Sequence, residues 1–172
     1  MTNKTKTARR KGKDDMKKVT TFLTFNDQAE EAVNRYVSIF KNSKIVSIVR
    51  SEAEGPVAKG KVLHAAFELD GQAFMAMDGG PYFSFAQGTS LFVNCETQEE
   101  IDELWERLSE GGEKQVCGWL KDKYGVSWQI VPSALGEMLT EAPPGKMEKV
   151  MEALLKMGKL DIKILKRAYE QG

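Results

Sequence analysis

Cysteine is scarce in this chain: Cys95 and Cys117 are the two present. They cannot build a disulfide framework, and no Cys-x-x-Cys pair occurs. A reducing, cytoplasmic setting is therefore expected. Histidine occurs once, as His64, and a lone imidazole cannot supply a metal site by itself. Charge of one sign is not in excess either, with 25 Lys plus Arg against 25 Asp plus Glu. A neutral chain lacks the electrostatic footprint of a general nucleic-acid binder. No apolar run approaches the roughly 20 residues that cross a bilayer, and the polar N-terminal stretch has no apolar core of a signal peptide. No phosphate-cradling loop is present, because the Gly-Gly pairs at 79–80 and 111–112 lack a Lys-Ser/Thr continuation.

What is present suffices for a compact core: 172 residues, 41% of them hydrophobic. Met1–Lys18 is polar and is expected to be a disordered arm, either a solvated tail or a tether for anions or nucleic acid. Structure begins at Val19. VTTFLTF alternates as a strand, with Thr21, Leu23 and Phe25 on one face. Asn26 or Asp27 can cap the following helix, where Ala29, Ala32, Val33, Tyr36, Val37 and Phe40 form an apolar stripe. KIVSIVRS reads as a strand, and a loop runs from Glu54 to Gly60. KVLHAAFELDGQAFMAM is a hairpin around Asp70-Gly71, a type I′ turn signal. A two-residue turn sets Leu69 against Gln72, Phe67 against Phe74, Ala66 against Met75 and His64 against Met77. Ala65, Phe67 and Leu69 then share one face, and His64, Ala66, Glu68, Met75 and Met77 the other.

A second cycle starts at Ser90. SLFVNC is a strand, Thr97 and Glu100 make a capping box, and Ile101, Leu104, Trp105 and Leu108 make the next stripe up to Gly111-Gly112. KQVCGWL reads as a strand, Lys121–Gly125 as a turn and VSWQIVP as a strand. Asn26…Glu30-Glu31-Ala32…Tyr36 is echoed by Asn94…Glu99-Glu100-Ile101…Trp105, so the halves look duplicated. The second half is one strand short, and that strand is expected near Gly112–Val116 or merged with its neighbour. After Pro132 the pattern turns helical: a turn at Ala134–Leu139, a break at Ala142–Gly145, a helix over Lys146–Lys156, and a last helix capped by Asp161 and running through Tyr169.

FLTFNDQAEEAVNRYVSIF, HAAFELDGQAFMAMDGGP and FVNCETQEEIDELWERLSEGGEKQVCGWLKDKYGVSWQIVP together resemble the PhnB-like branch of the vicinal-oxygen-chelate superfamily, which includes glyoxalase I, extradiol dioxygenases and bleomycin-resistance proteins. The resemblance covers about Val19–Pro132. It implies an α+β fold of paired βαβββ modules, with half-modules at about 19–78 and 90–132 and a helical extension over 133–172. It also implies a homodimer. Members of this branch are often called 3-demethylubiquinone-9 3-methyltransferase. A methyltransferase of the usual kind needs a glycine-rich strand-to-helix turn for its nucleotide cofactor, and none is visible in this sequence.

The superfamily's chemistry uses a divalent metal held by His and Glu at four inward strand positions. Here those positions fall at Thr20 or Phe22, Met75, Ser90 and Gln129, a set unsuited to a hard or borderline divalent ion. The expectation is therefore no catalytic metal and no cofactor. The inward positions Phe22, Met75, Met77 and Phe92, with Phe83, Phe85 and Trp119 as further candidates, suit a pocket for a small, partly apolar molecule. His64, Ser90 and Gln129 supply its polar groups, and methionine adapts to ligand shape. His64 is either a ligand anchor or base, or a hydrogen-bonded histidine near the sheet edge. Cys117 is expected to be a structural thiol rather than a nucleophile paired with His64, and Cys95 to lie in the core. Three function classes follow: metal-independent binding of a small molecule with no nucleic-acid or membrane partner, a metal-dependent lyase, isomerase or dioxygenase, and a structural protein with a vestigial pocket.

Overall fold

The computed structural model describes residues 18–86, 88–141 and 143–172. The expected disordered arm over Met1–Lys18 lies outside the described residues, apart from Lys18. The chain divides into two compact units, one ending at Gly80 and the other beginning at Pro81.

The first unit contains β1 (Thr21–Phe25), α1 (Ala29–Ile39), β2 (Lys44–Arg50), β3 (Val62–Leu69) and β4 (Gln72–Asp78). Its sheet runs β1-β4-β3-β2, with β1 parallel to β4 and the other neighbours antiparallel. Leu23, Phe25, Ala65, Phe67, Phe74 and Ala76 form the buried sheet face, and Ala29, Ala32, Val33, Tyr36 and Ile39 the buried helix face. The apolar stripe of α1 ends on Ile39 instead of Phe40. The backbone turns extended at Phe40, with φ −86° and ψ 134°, so its side chain leaves the helical spacing and is only half-buried.

The helix cap also differs from expectation. Neither Asn26 nor Asp27 caps α1, and Gln28 at the cap position makes no side-chain bond. Asp27 is in the left-handed region at φ 61° and its carboxylate lies 3.7 Å from Lys61 Nζ. The cap comes from the end of the neighbouring strand β4, where Asp78 pairs with Phe25 of β1. Asp78 Oδ1 accepts the Ala29 N–H at 2.8 Å, and Oδ2 accepts the Val62 N–H at 2.9 Å. A carboxylate suits the partial positive charge of a helix N-terminus.

The hairpin has both turn residues left-handed, Asp70 at φ 46° and Gly71 at φ 75°, as a type I′ turn requires. Leu69↔Gln72, Phe67↔Phe74 and Ala66↔Met75 pair as expected. The β3–β4 ladder stops at Ala65↔Ala76, one pair short of His64 and Met77, where the Val62 N–H turns to the Asp78 carboxylate.

The second unit repeats the order: β5 (Leu91–Cys95), α2 (Gln98–Ser109), β6 (Glu113–Lys114), β7 (Trp119–Lys121) and β8 (Ser127–Pro132), in a sheet ordered β5-β8-β7-β6. Here Leu120, Trp128, Ile130 and Cys95 are buried, as are Ile101, Leu104, Trp105 and Leu108 of α2. Thr97 Oγ1 accepts the Glu100 N–H at 3.2 Å, while the Glu100 carboxylate accepts from Glu96 N–H at 2.9 Å. KQVCGWL is not one strand. It folds back on itself, pairing Lys114 with Leu120 and Glu113 with Lys121, because Cys117 (φ 58°) and Gly118 (φ 79°) turn left-handed. The strand missing from the sequence pattern is β6.

Three helices follow: α3 (Ser133–Glu141), α4 (Pro144–Leu154) and α5 (Ile162–Glu170). α4 starts two residues before Lys146 because Pro144 is tolerated in a first helical turn, where its missing N–H has no partner to lose. Asp161 Oδ1 caps α5 by accepting the Ile164 N–H at 3.0 Å. Val131 of β8 packs with Leu135, Val150, Leu160 and Leu165 in one cluster, so the helices share a core with their own unit. Both sheets therefore belong to βαβββ modules, and the register repeats too: Phe22↔Met75 joins β1 to β4, and Phe92↔Gln129 joins β5 to β8. Among the described residues no helix is long and apolar enough to cross a membrane.

Candidate functional site

Residues paired across neighbouring strands point to the same side of a sheet, so the registers define the face that each helix leaves open. In the first unit one row crosses three strands as Phe22, Met75 and Ala66. Met77, two residues beyond Met75, pairs with Thr24, and His64, two before Ala66, pairs with Val49. Phe22 is 46% exposed, against 6% for its neighbour Leu23, so the covered and open faces are sharply distinguished. The structure brings Phe22, His64, Met75 and Met77 to this open face. The two acidic candidates beside His64 are committed elsewhere: Asp78 holds α1 and Val62, and Glu68 pairs with Lys44 at 3.0 Å.

In the second unit the equivalent row is Phe92, Gln129 and Trp119 across β5, β8 and β7. Phe92 is 59% exposed. Gln129 Nε2 donates to Ser90 Oγ at 2.8 Å, which fixes the amide above the sheet. Ser90, Phe92, Trp119 and Gln129 thus gather on one open face. Phe85 does not lie in that row; its ring is 3.7 Å from where a side chain on Gly125 would begin, beside the β7–β8 turn.

Gln129 pairs with Phe92 and Met75 with Phe22, and Ser90 and Thr20 each lie two residues before those phenylalanines. These neutral oxygen, amide, thioether and aromatic groups do not fit a divalent cation, which seeks carboxylate and imidazole donors. Among the described residues no group of three or more His, Cys, Asp or Glu could hold a metal ion.

Sequence reasoning missed a polar cavity of about 350 Å³ at the N-terminal end of α1, lined by Asp27, Glu30, Glu31, Lys61, Val62 and Asp78 among others. Its walls are internally compensated: Asp27 faces Lys61, Glu30 pairs with Arg50, and Asp78 is spent on backbone N–H groups. It is distinct from both open faces. Neither cysteine is placed for nucleophilic work. Burial, with smaller contributions from Glu100 and Glu96, pushes the Cys95 thiol up to about 12. Cys117 Sγ donates to the Leu154 carbonyl at 3.6 Å, and its N–H to Met157 at 2.8 Å, binding the hairpin to the tail.

Residues 17–131 match the family model of 3-demethylubiquinone-9 3-methyltransferase. A PhnB protein from Bacillus cereus is 45% identical, with a TM-score of 0.65, over 68% of this chain and 100% of its own. A Pseudomonas aeruginosa protein is 25% identical, with a TM-score of 0.59, over 66% of this chain and 96% of its own. The fosfomycin resistance protein FosX from Listeria monocytogenes shares the fold at 16% identity and a TM-score of 0.53, over 72% of this chain and 96% of its own. No curated protein matches the chain. Two βαβββ modules in repeated register, a family match spanning both, and a close relative covered end to end lead to one conclusion: the chain belongs to the PhnB-like 3-demethylubiquinone-9 3-methyltransferase family and has a glyoxalase-like fold.

Proposed function

We propose that this protein binds a small, partly apolar molecule on the open faces of its sheets, without a catalytic metal. One observation supports the reading: the positions where the family resemblance puts metal donors, Thr20 or Phe22, Met75, Ser90 and Gln129, carry hydroxyl, aromatic, thioether and amide groups in place of imidazole and carboxylate, on or just before strands whose registers repeat as Phe22↔Met75 and Phe92↔Gln129. Ligand sites are mainly apolar with a few placed polar groups, and His64, Ser90 and Gln129 are such groups. Met75 and Met77 add side chains that adapt to ligand shape. Methyl transfer from a nucleotide cofactor is not supported by the strand-to-helix connections, which are Asn26-Asp27-Gln28 and Glu96-Thr97 and contain no glycine. The same reading makes the protein a cytoplasmic homodimer with no nucleic-acid or membrane partner. A light-scattering mass near the single-chain 19.2 kDa would count against the dimer.

The test is a thermal-shift screen of the whole chain against varied metabolites, with and without chelator. Binding to the folded state raises the melting temperature. The expected result is a set of hits whose shifts persist in EDTA. Hits that vanish on chelation would overturn the metal-free reading, and a broad library with no hit would leave a vestigial site.

A further inference from the structure

We infer that the open face of the second unit selects uncharged, flat ligands carrying a hydrogen-bond donor and acceptor side by side, as a cyclic amide does, with Gln129 as the specificity-determining residue. This deepens the small-molecule reading above and rests on it.

The row Phe92, Gln129, Trp119 places one primary amide between two aromatic rings. Directly opposed side chains on a sheet have Cβ atoms about 4.5–5.5 Å apart, so both rings flank the amide closely enough for a planar molecule to contact all three. The amide is oriented by its bond to Ser90, in which one Nε2 hydrogen is donated to the hydroxyl oxygen. Ser90 therefore keeps its own O–H as a donor, and Gln129 keeps Oε1 as an acceptor. Among the described residues neither of those atoms has a further partner. The face thus presents two neutral donors, the Ser90 O–H and the second Gln129 Nε2–H, beside one neutral acceptor, Gln129 Oε1, bordered by π-surfaces.

Charge decides the ligand class. The charged side chain on the same side of β7, two residues beyond Trp119, is Lys121. Its stem runs toward the β7–β8 turn, with Cε 3.9 Å from where a side chain on Gly125 would begin. An anion laid on Gln129 would exchange its hydration for neutral Ser90 and Gln129 donors set beside a repelling carbonyl oxygen, with no cation to balance its charge. A cyclic amide exchanges two water hydrogen bonds for Ser90 and Gln129 and stacks its ring on Phe92 or Trp119.

The experiment titrates the full chain with 2-pyridone, a neutral cyclic amide, and with benzoate, an anion of similar size. Binding is followed by the NMR shifts of the Gln129 side-chain amide and by Trp119 fluorescence, with Trp119→Phe as the assignment control. The expected result is 2-pyridone binding at least 10-fold tighter than benzoate, with the Gln129 amide shifted. In Gln129→Glu, checked for an unchanged backbone spectrum, the affinity for 2-pyridone falls at least 10-fold. Benzoate binding equally well or better would overturn the selectivity while leaving small-molecule binding intact. If neither probe moves the Gln129 amide while other compounds raise the melting temperature, this inference fails alone. If no compound of any class binds, both readings fail.

Discussion

Two buried carboxylates show how single residues hold the backbone. Asp122 is 4% exposed and accepts hydrogen bonds from Tyr124 and Val126 N–H on Oδ1, at 2.9 and 3.0 Å, and from the Trp128 indole N–H on Oδ2 at 2.9 Å. Asp78 serves α1 and β3 in the same way. Removing such an acceptor strands buried donors, each costing roughly 1–3 kcal/mol. Asp78→Ala is expected to lower unfolding free energy by about 3 kcal/mol in urea titrations, with the hairpin register retained. The sequence announces neither role. Capping signals are local, whereas Asp78 reaches α1 across 49 positions. Cys95 makes a different prediction. Its folded thiol is held near 12 against an ordinary 9.0, so the folded state keeps a proton that the unfolded chain loses. Its contribution is full below about pH 9 and is lost as pH rises toward 12. Unfolding measured from pH 8 to 11 should show wild type losing stability relative to Cys95→Ala as pH rises. Native alkylation of Cys95 at pH 8 should be on the order of 100-fold slower than in urea.

At the scale of elements, long amphipathic segments were legible and short strands were not. α1, α2 and the type I′ hairpin carry several periods of pattern, and the structure reproduces them with end corrections of a residue or two. β6 and β7 are two and three residues long, too short for alternation to register, and the turn between them depends on left-handed Cys117 and Gly118. The tail helices were legible, but their attachment was not, since it joins groups far apart in sequence. Gly118 N–H bonds Gly158 O at 2.8 Å, and the Gln98 side chain holds both Leu160 O, at 3.0 Å, and Ile162 N–H, at 2.9 Å. Lys159 bonds Asp102 at 2.7 Å, lowering that carboxyl's pKa through this bond and a second from Gln98. A Cβ on Gly118 would come within 2.7 Å of Ile130 O and 3.1 Å of Leu160, at a φ that disfavours any side chain. Gly118→Ala should therefore destabilise the second unit by about 2 kcal/mol or more. Leu160→Ala should cost about 2–5 kcal/mol and speed hydrogen exchange in α4 and α5, measured by mass spectrometry.

At the scale of the whole molecule, duplication gave the sequence its reach. Equivalent strands could be matched between halves, and β1–β4 and β5–β8 repeat one parallel register, Phe22↔Met75 and Phe92↔Gln129. The polar cavity at α1 escaped notice because its wall joins residues from β4, the β2–β3 loop and a helix start, which share no periodic pattern. A folded state that binds a divalent ion gains stability by mass action, about 2.7 kcal/mol at a hundredfold excess over Kd. Thioether, amide and aromatic groups offer such an ion too little to compete with water. The melting temperature of the intact chain should thus stay constant to within about 1 °C between EDTA and saturating Zn, Mn or Ni. In the double variant Phe22→His, Met75→Glu, which sets an imidazole opposite a carboxylate on β1 and β4, added Zn should raise it. A metal-dependent rise in the unmodified chain would mean that donors outside these pairs converge on a cation.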